Sequence, residues 1–157
     1  MILTMKPPKG SHKLRSGRVS IENQAYFITA ATLGRVPLFT AAAAASVVLD
    51  ALRWNDQEGR IILDAAVLMP DHLHFVAELK STSLSKLMHS LKSFTAKRIN
   101  ALLIRQGRLW QDQYYDHAIR KDEDLNEVVL YMLNNPVRAG LVKDFHDYPF
   151  WHCRWAI

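Results

Sequence analysis

Residues 60–79 read RIILDAAVLMPDHLHFVAEL. Arg60 to Leu68 is nearly continuous in apolar residues, the pattern of a central strand buried on both faces. Met69-Pro70-Asp71 breaks it, and His72 to Leu79 resumes as another strand. Toward the N-terminus, Asn55 to Gly59 is a polar turn. The alanine-rich stretch Ala41 to Trp54 predicts a helix with Thr40 as its cap. Gln24 to Thr32 (QAYFITAAT) reads as a first strand. Toward the C-terminus, Ser83 predicts the cap of a long helix. Its core stripe would be Leu84, Leu87, Met88, Leu91 and Phe94, fading near Gly107. Trp110 to Ile119 reads as a short strand or ordered loop. Asp122 then predicts a cap for a last helix, with Glu123 and Asp124 in its first turn. Leu125, Val128, Val129, Met132 and Leu133 would form its buried face. Asn135-Pro136 ends it, because a residue before proline avoids the helical region. The order β-α-β-β-α-β is the α+β, ferredoxin-like or RRM-like pattern: one antiparallel sheet, two helices on one face, and here an additional C-terminal helix that carries a tyrosine. That pattern hosts many functions, so function must come from the site.

The 157 residues suit one domain, and with 49% hydrophobic and 22% charged residues the chain can bury a core. The expected organisation is a flexible basic arm over 1–18, rich in Pro, Gly, Lys and Arg, a domain over 19–145, and a C-terminal tail over 146–157. A net charge of +5 favours polyanionic partners. Cys153 is the single cysteine, so no disulfide forms within the chain and a reducing compartment is expected. The N-terminal apolar run is too short for a signal peptide or a membrane span. The expectation is a soluble, cytoplasmic protein with no membrane partner.

Two features carry chemistry. His72 and His74 are two apart on a predicted strand, so they share a face. Such a pair either holds one divalent metal or is structural. Tyr131 and Asn135 are at i and i+4 on the last helix and share one side of it. Tyr131 falls roughly 130° from the centre of the apolar stripe and Asn135 roughly 90°. That makes Tyr131 either a surface or half-buried residue, or a hydroxyl aimed at a ligand. Phenol is a poor nucleophile near neutral pH. A metal on a non-bridging phosphate oxygen would offset charge in the transition state and orient the phosphate.

MPDHLHFV (69–76) resembles the histidine–hydrophobic–histidine (HUH) motif of single-tyrosine transposases, the IS200-like kind. WQDQYYDHAIR (110–120) followed by YMLNNPVRAGLV (131–142) resembles the signature of REP-associated tyrosine transposases. GRVSIENQAYFITAATLGRVPLF (17–39) and SLKSFTAKRIN (90–100) are similar to the same family, so the resemblance runs from about Gly17 to Val142. It implies the same fold and a set of roles. Tyr131 matches the nucleophile, His72 and His74 the metal-binding pair, and Asn135 an amide ligand from the tyrosine helix. It implies Mg²⁺ or Mn²⁺ as the metal. The implied substrate is single-stranded DNA beside hairpins of repetitive extragenic palindromes (REP), cut and rejoined through a 5′-phosphotyrosine. The family is bacterial. A monomer acting in cis is expected, although related insertion-sequence enzymes are dimers that exchange the tyrosine helix.

Other residues are candidate DNA contacts. Lys86, Ser90, Ser93 and Lys97 share a face of the long helix, which is either solvated or a phosphate-backbone surface. Arg120, Lys121 and Arg138 bracket the tyrosine helix and are candidates to hold the scissile strand. Trp110, Tyr114 and Tyr115 either stack unpaired bases or join the core. Tyr114 and Tyr115 also compete with Tyr131 as nucleophiles. His117 is a phosphate contact, a further ligand or a structural hydrogen-bond partner. Arg15 and Arg18 of the arm are candidate hairpin readers. Two competing functions remain: a non-cutting module for structured nucleic acid, and a metal-dependent phosphoesterase that uses water.

Overall fold

Strands β2 (Ile61–Met69) and β3 (His72–Leu79) pair antiparallel across the Pro70-Asp71 turn, with Met69 opposite His72. The structure is a computed structural model describing residues 20–157; the basic arm, with Arg15 and Arg18, lies outside the described residues. β1 (Ala25–Ala31) pairs with the other edge of β3, and β4 (Tyr115–Ala118) pairs with β1. A further strand, β5 (Trp151–Cys153), adds to β2, giving an antiparallel sheet of order β4-β1-β3-β2-β5. Residues 146–157, read from sequence as a tail, therefore supply an edge of the sheet.

Helices α1 (Ala42–Gln57) and α2 (Leu84–Leu103) cover one face. Ile28, Leu63, Leu68, Leu73 and Phe75 point into that layer. Helix α3 (Leu125–Leu133) covers the opposite face with Val129, Met132 and Leu133, against Phe27, Val67 and Val76. This second layer is why β2 is apolar on both sides. A short α4 (Asn135–Arg138) follows after a break at Asn134, with Pro136 in its first turn where its missing N–H costs nothing.

Three local expectations are corrected. The N-cap of α1 is Ala41; Thr40 sits in a 3₁₀ turn, where its hydroxyl donates to the Pro37 carbonyl at 3.0 Å. The cap of α3 is Asp124, whose carboxylate accepts from Asn126 N–H, and not Asp122. Phe94 is 57% exposed and Thr95 is buried in its place. Counted from Leu84, position i+10 falls about 80° off the stripe and i+11 only about 20°. Ser83 does cap α2, accepting from Lys86 N–H at 3.2 Å.

A bulge in β2 between Leu63 and Ala65 leaves Asp64 as the extra residue and switches which parity faces the helices. Asp64 is 4% exposed, and its Oδ2 has no hydrogen-bond partner among the described residues. Burial and the nearby Glu78 charge push its pKa from 3.8 up to about 6, against the pull of Arg154. Between those values the folded state binds a proton that the unfolded state does not. The ionised carboxylate therefore destabilises the fold above about pH 6, and the penalty is relieved as pH falls toward 3.8. Asp64→Asn is expected to stabilise the protein at pH 7.5 by roughly 1–2 kcal/mol. Thermal melts at pH 7.5 and pH 4 check this: the gain should be gone at the lower pH.

Candidate active site

β3 begins at His72, so His72 and His74 both project from the α3 side of the sheet, while Leu73 and Phe75 fill the other side. Their rings pack edge to face with centroids 4.6 Å apart. His72 Nδ1–H donates to Asp71 Oδ1 at 2.6 Å. Asp71 Oδ2 accepts from Arg35 Nε at 3.0 Å. The chain Arg35–Asp71–His72 fixes the His72 tautomer and leaves Nε2 as the bare nitrogen. His74 Nδ1 lies 2.7 Å from Thr29 Oγ1, across the β1–β3 pairing that sets Thr29 opposite His74. Donation from Nδ1–H to that hydroxyl likewise leaves Nε2 bare.

The electrostatics keep both rings neutral. Burial lowers the His72 pKa, and the Asp71 contact only partly offsets it. Burial, then the neighbouring His72, Arg138 and Arg35, drive the His74 pKa down to about 3. Burial acts to raise the Asp71 pKa, but the His72 bond and Arg35 hold it below the ordinary range.

Tyr131 lies on α3 and Asn135 opens α4; both line the same cavity as the two histidines, about 300 Å³ in volume. The Arg138 guanidinium carbon stands 3.9 Å from the centroid of the Tyr131 ring. This contact sets a cation over the face of the ring. Arg35, Thr29 and Tyr115 complete the polar lining. The donor set fits a divalent ion: two imidazoles with Nδ1 already engaged, and the Asn135 amide, which has no side-chain hydrogen bond among the described residues. Among the described residues no group of three His, Cys, Asp or Glu side chains is arranged to hold a metal ion; two imidazoles and an amide are neutral donors, so an ion held by them would keep its full charge.

The structure thus brings together His72, His74, Tyr131, Asn135, Arg138 and Tyr115 from the residues singled out in the sequence. Tyr114 points to the opposite side of β4 and lines a groove against α2. Trp110 is corrected from base-stacking candidate to core: it is 5% exposed, its Nε1–H donates to Thr95 Oγ1 at 2.9 Å, and it packs on Phe39. His117 pairs with Glu123 at 3.0 Å, and Glu123 also accepts the Arg120 N–H at 2.9 Å. That knot ties β4 to the start of α3, while Arg120 itself is exposed. Lys86, Ser90, Ser93 and Lys97 belong to α2, across the sheet from the cavity.

Arg35, Asp71 and Thr29 were not found by sequence reasoning. Asp71 carried a signal, since it directly precedes His72. Arg35 carried none. It follows Gly34 (φ 66) and is itself left-handed at φ 56, a strained conformation for a non-glycine residue. The Asp71 ion pair and the cavity lining accompany that strain.

The family described as Transposase IS200 like matches residues 20–135. The REP-associated tyrosine transposase of Escherichia coli K12 is 32% identical over 91 residues, 56% of this chain and 52% of that protein. The chain spans about half the length of the curated relatives it matches. Among solved structures, a REP-associated tyrosine transposase bound to a REP hairpin superposes with a TM-score of 0.69 at 24% identity, covering 85% of this chain and 79% of that one, and shows the shared fold. The family match reaches from before β1 to Asn135, taking in the histidine pair and Tyr131, and the chain belongs to the IS200-like transposase family.

Proposed function

We propose that the protein is a metal-dependent single-strand DNA endonuclease and strand transferase. It acts at REP hairpins through a 5′-phosphotyrosine on Tyr131. The observation that carries this reading is the convergence of Tyr131, Asn135, His72 and His74, from two helices and one strand, on a single cavity. The Tyr131 hydroxyl oxygen attacks the scissile phosphorus in line. The P–O3′ bond breaks, the phenolic proton is given up, and the departing 3′-oxygen takes a proton to become a free hydroxyl. The phosphodiester energy is retained in the new bond, so a 3′-hydroxyl can attack it and rejoin a strand. Arg138 and Arg35 line the cavity and oppose the phosphate charge. His72, His74 and Asn135 would hold Mg²⁺ or Mn²⁺, which supplies Lewis-acid stabilisation of the non-bridging oxygens. The partner is single-stranded DNA with a hairpin, the compartment the cytoplasm, and the acting unit a monomer with its tyrosine in cis.

The test is incubation with Mn²⁺ or Mg²⁺ and end-labelled hairpin DNA, followed by denaturing electrophoresis. A protein–DNA adduct that survives denaturation supports the reading. Hairpin binding without an adduct under either metal would sink it in favour of a non-cutting module.

The His72 tautomer gives a separate prediction. Asp71→Ala is expected to weaken Mn²⁺ binding about 10–100-fold, because the imidazole loses the acceptor that orients it. Isothermal titration reads the affinity directly. Asp71→Asn keeps an acceptor oxygen for Nδ1–H and should lose much less. Equal affinity in the alanine variant would show that Asp71 serves only the turn.

A further inference from the structure

A groove larger than the cavity is on the other side of the sheet. It runs between α1 and α2 and has a volume of about 590 Å³. Val47, Ala51 and Leu91 form its apolar floor. At its mouth stand one aromatic ring from each helix. Trp54 of α1 is 51% exposed and Phe94 of α2 is 57% exposed. Aromatic side chains are costly to leave in water, and two of them lining one groove call for an occupant.

The charges around the rings identify its chemistry. Asp50 is the one carboxylate that lines the groove, and Arg53 holds it at 3.2 Å. Arg60 reaches over Trp54, with its guanidinium carbon 5.8 Å from the ring centroid. It donates to the neutral Asn55 Oδ1 at 2.8 Å. Neither Arg60 nor Arg98 has a carboxylate partner among the described residues, so two positive charges flank the rings uncompensated. An apolar peptide would leave those charges unanswered, and an acidic peptide would leave the rings bare. A strand of unpaired nucleotides answers both, with flat bases on the rings and phosphates on the arginines. Ser90 also lines the groove, and Lys86, Ser93 and Lys97 continue along the same helix.

We propose that the α1–α2 groove is a second single-stranded DNA site, in which Trp54 and Phe94 stack unpaired bases and Arg60 and Arg98 hold the phosphates. It rests on the reading of the protein as a DNA enzyme. The sheet separates it from Tyr131, so the nucleotides it takes flank the hairpin rather than carry the scissile bond.

The test uses the full chain in a Tyr131→Phe background, to prevent cutting, and a fluorescent oligothymidylate about 12 nucleotides long. Trp54→Ala/Phe94→Ala is expected to weaken binding by about 10-fold or more, from the loss of two stacking surfaces. Arg98→Glu, on an exposed side chain, should weaken binding at low salt and reduce the salt slope by about 1. Bromodeoxyuridine in the oligonucleotide should photocrosslink to peptides carrying Trp54 or Phe94. With Tyr131 restored, both variants should form the adduct on a minimal hairpin as the parent does, which separates this site from the chemistry. Unchanged oligonucleotide affinity with crosslinks elsewhere would overturn the proposal and leave the nuclease reading standing. So would self-association in sedimentation that the double variant abolishes, which would assign the groove to a second copy of the chain. A parent that neither binds the oligonucleotide nor forms an adduct would overturn both.

Discussion

Tyr131→Phe is expected to form no denaturant-stable adduct with hairpin DNA, and to cut it slower by on the order of 10⁴-fold or more. The substitution removes one oxygen and keeps the ring. The Arg138 guanidinium, 3.9 Å from the ring centroid, still has its aromatic face, so the cavity wall stays in place. DNA affinity should therefore stay within about twofold, since the lost atom reacts and contributes little to ground-state binding. Tyr115 provides the discriminating control, because it is the other phenol lining the cavity. It projects from β4 in register with Thr29 and not from the helix that leads to Asn135. Tyr115→Phe should keep the adduct, and peptide mapping of the wild-type adduct should find the nucleotide on Tyr131. An adduct surviving in the Tyr131 variant would move the nucleophile to Tyr115. Metal-dependent cleavage without an adduct in both wild type and variant would point to attack by water.

The sequence pattern carried four of the five strands and the four candidate residues that meet in the cavity, for definable reasons. The Met69-Pro70-Asp71 break set the start of β3 at His72, and strand periodicity then put His72 and His74 on one face. Tyr131 and Asn135 line one cavity even though the helix breaks between them at Asn134 (φ −78, ψ 2), where φ stays negative and the chain does not reverse. Smaller features depended on tertiary context. Asp122-Glu123-Asp124 offers three acidic residues at a helix start, and local sequence does not choose among them. Pairing of Glu123 with His117 holds that residue ahead of the helix and leaves Asp124 to cap it. Trp110 was ambiguous as an aromatic in an irregular stretch, until Thr95 one helix away supplied a partner for its indole N–H. β5 is only three residues long, too short for any periodicity, and exists because β2 offers an unpaired edge. Arg35 reaches the site through two successive left-handed residues, a geometry that leaves no mark in composition or spacing.

His74→Ala should be the second variant with a near-complete loss. Metal stabilisation of a developing phosphoryl charge is worth several kcal/mol, so removing one of the proposed ligands should cost cleavage on the order of 10³-fold. Mn²⁺ affinity should fall in parallel, which a titration without DNA reads separately from catalysis. The pH dependence of stability distinguishes loss of a ligand from general damage to the fold. In the metal-free protein His74 has a pKa of about 3, against 6.5 for the ordinary side chain. Between those values the unfolded chain binds a proton that the folded chain does not, so this residue makes stability fall as pH falls from about 6.5 toward 3. Alanine removes that term. At pH 7.5 the variant should be less stable than wild type by roughly 1–2 kcal/mol, because the Thr29 hydroxyl loses its partner and the packing around the ring opens. On moving to pH 5 in chelator the wild type should lose more stability than the variant, and the two melting temperatures should converge. A gap that stays constant with pH would mean that the ring protonates in the folded protein as readily as in the unfolded chain, and burial would then not be what keeps the imidazole neutral below pH 6.5.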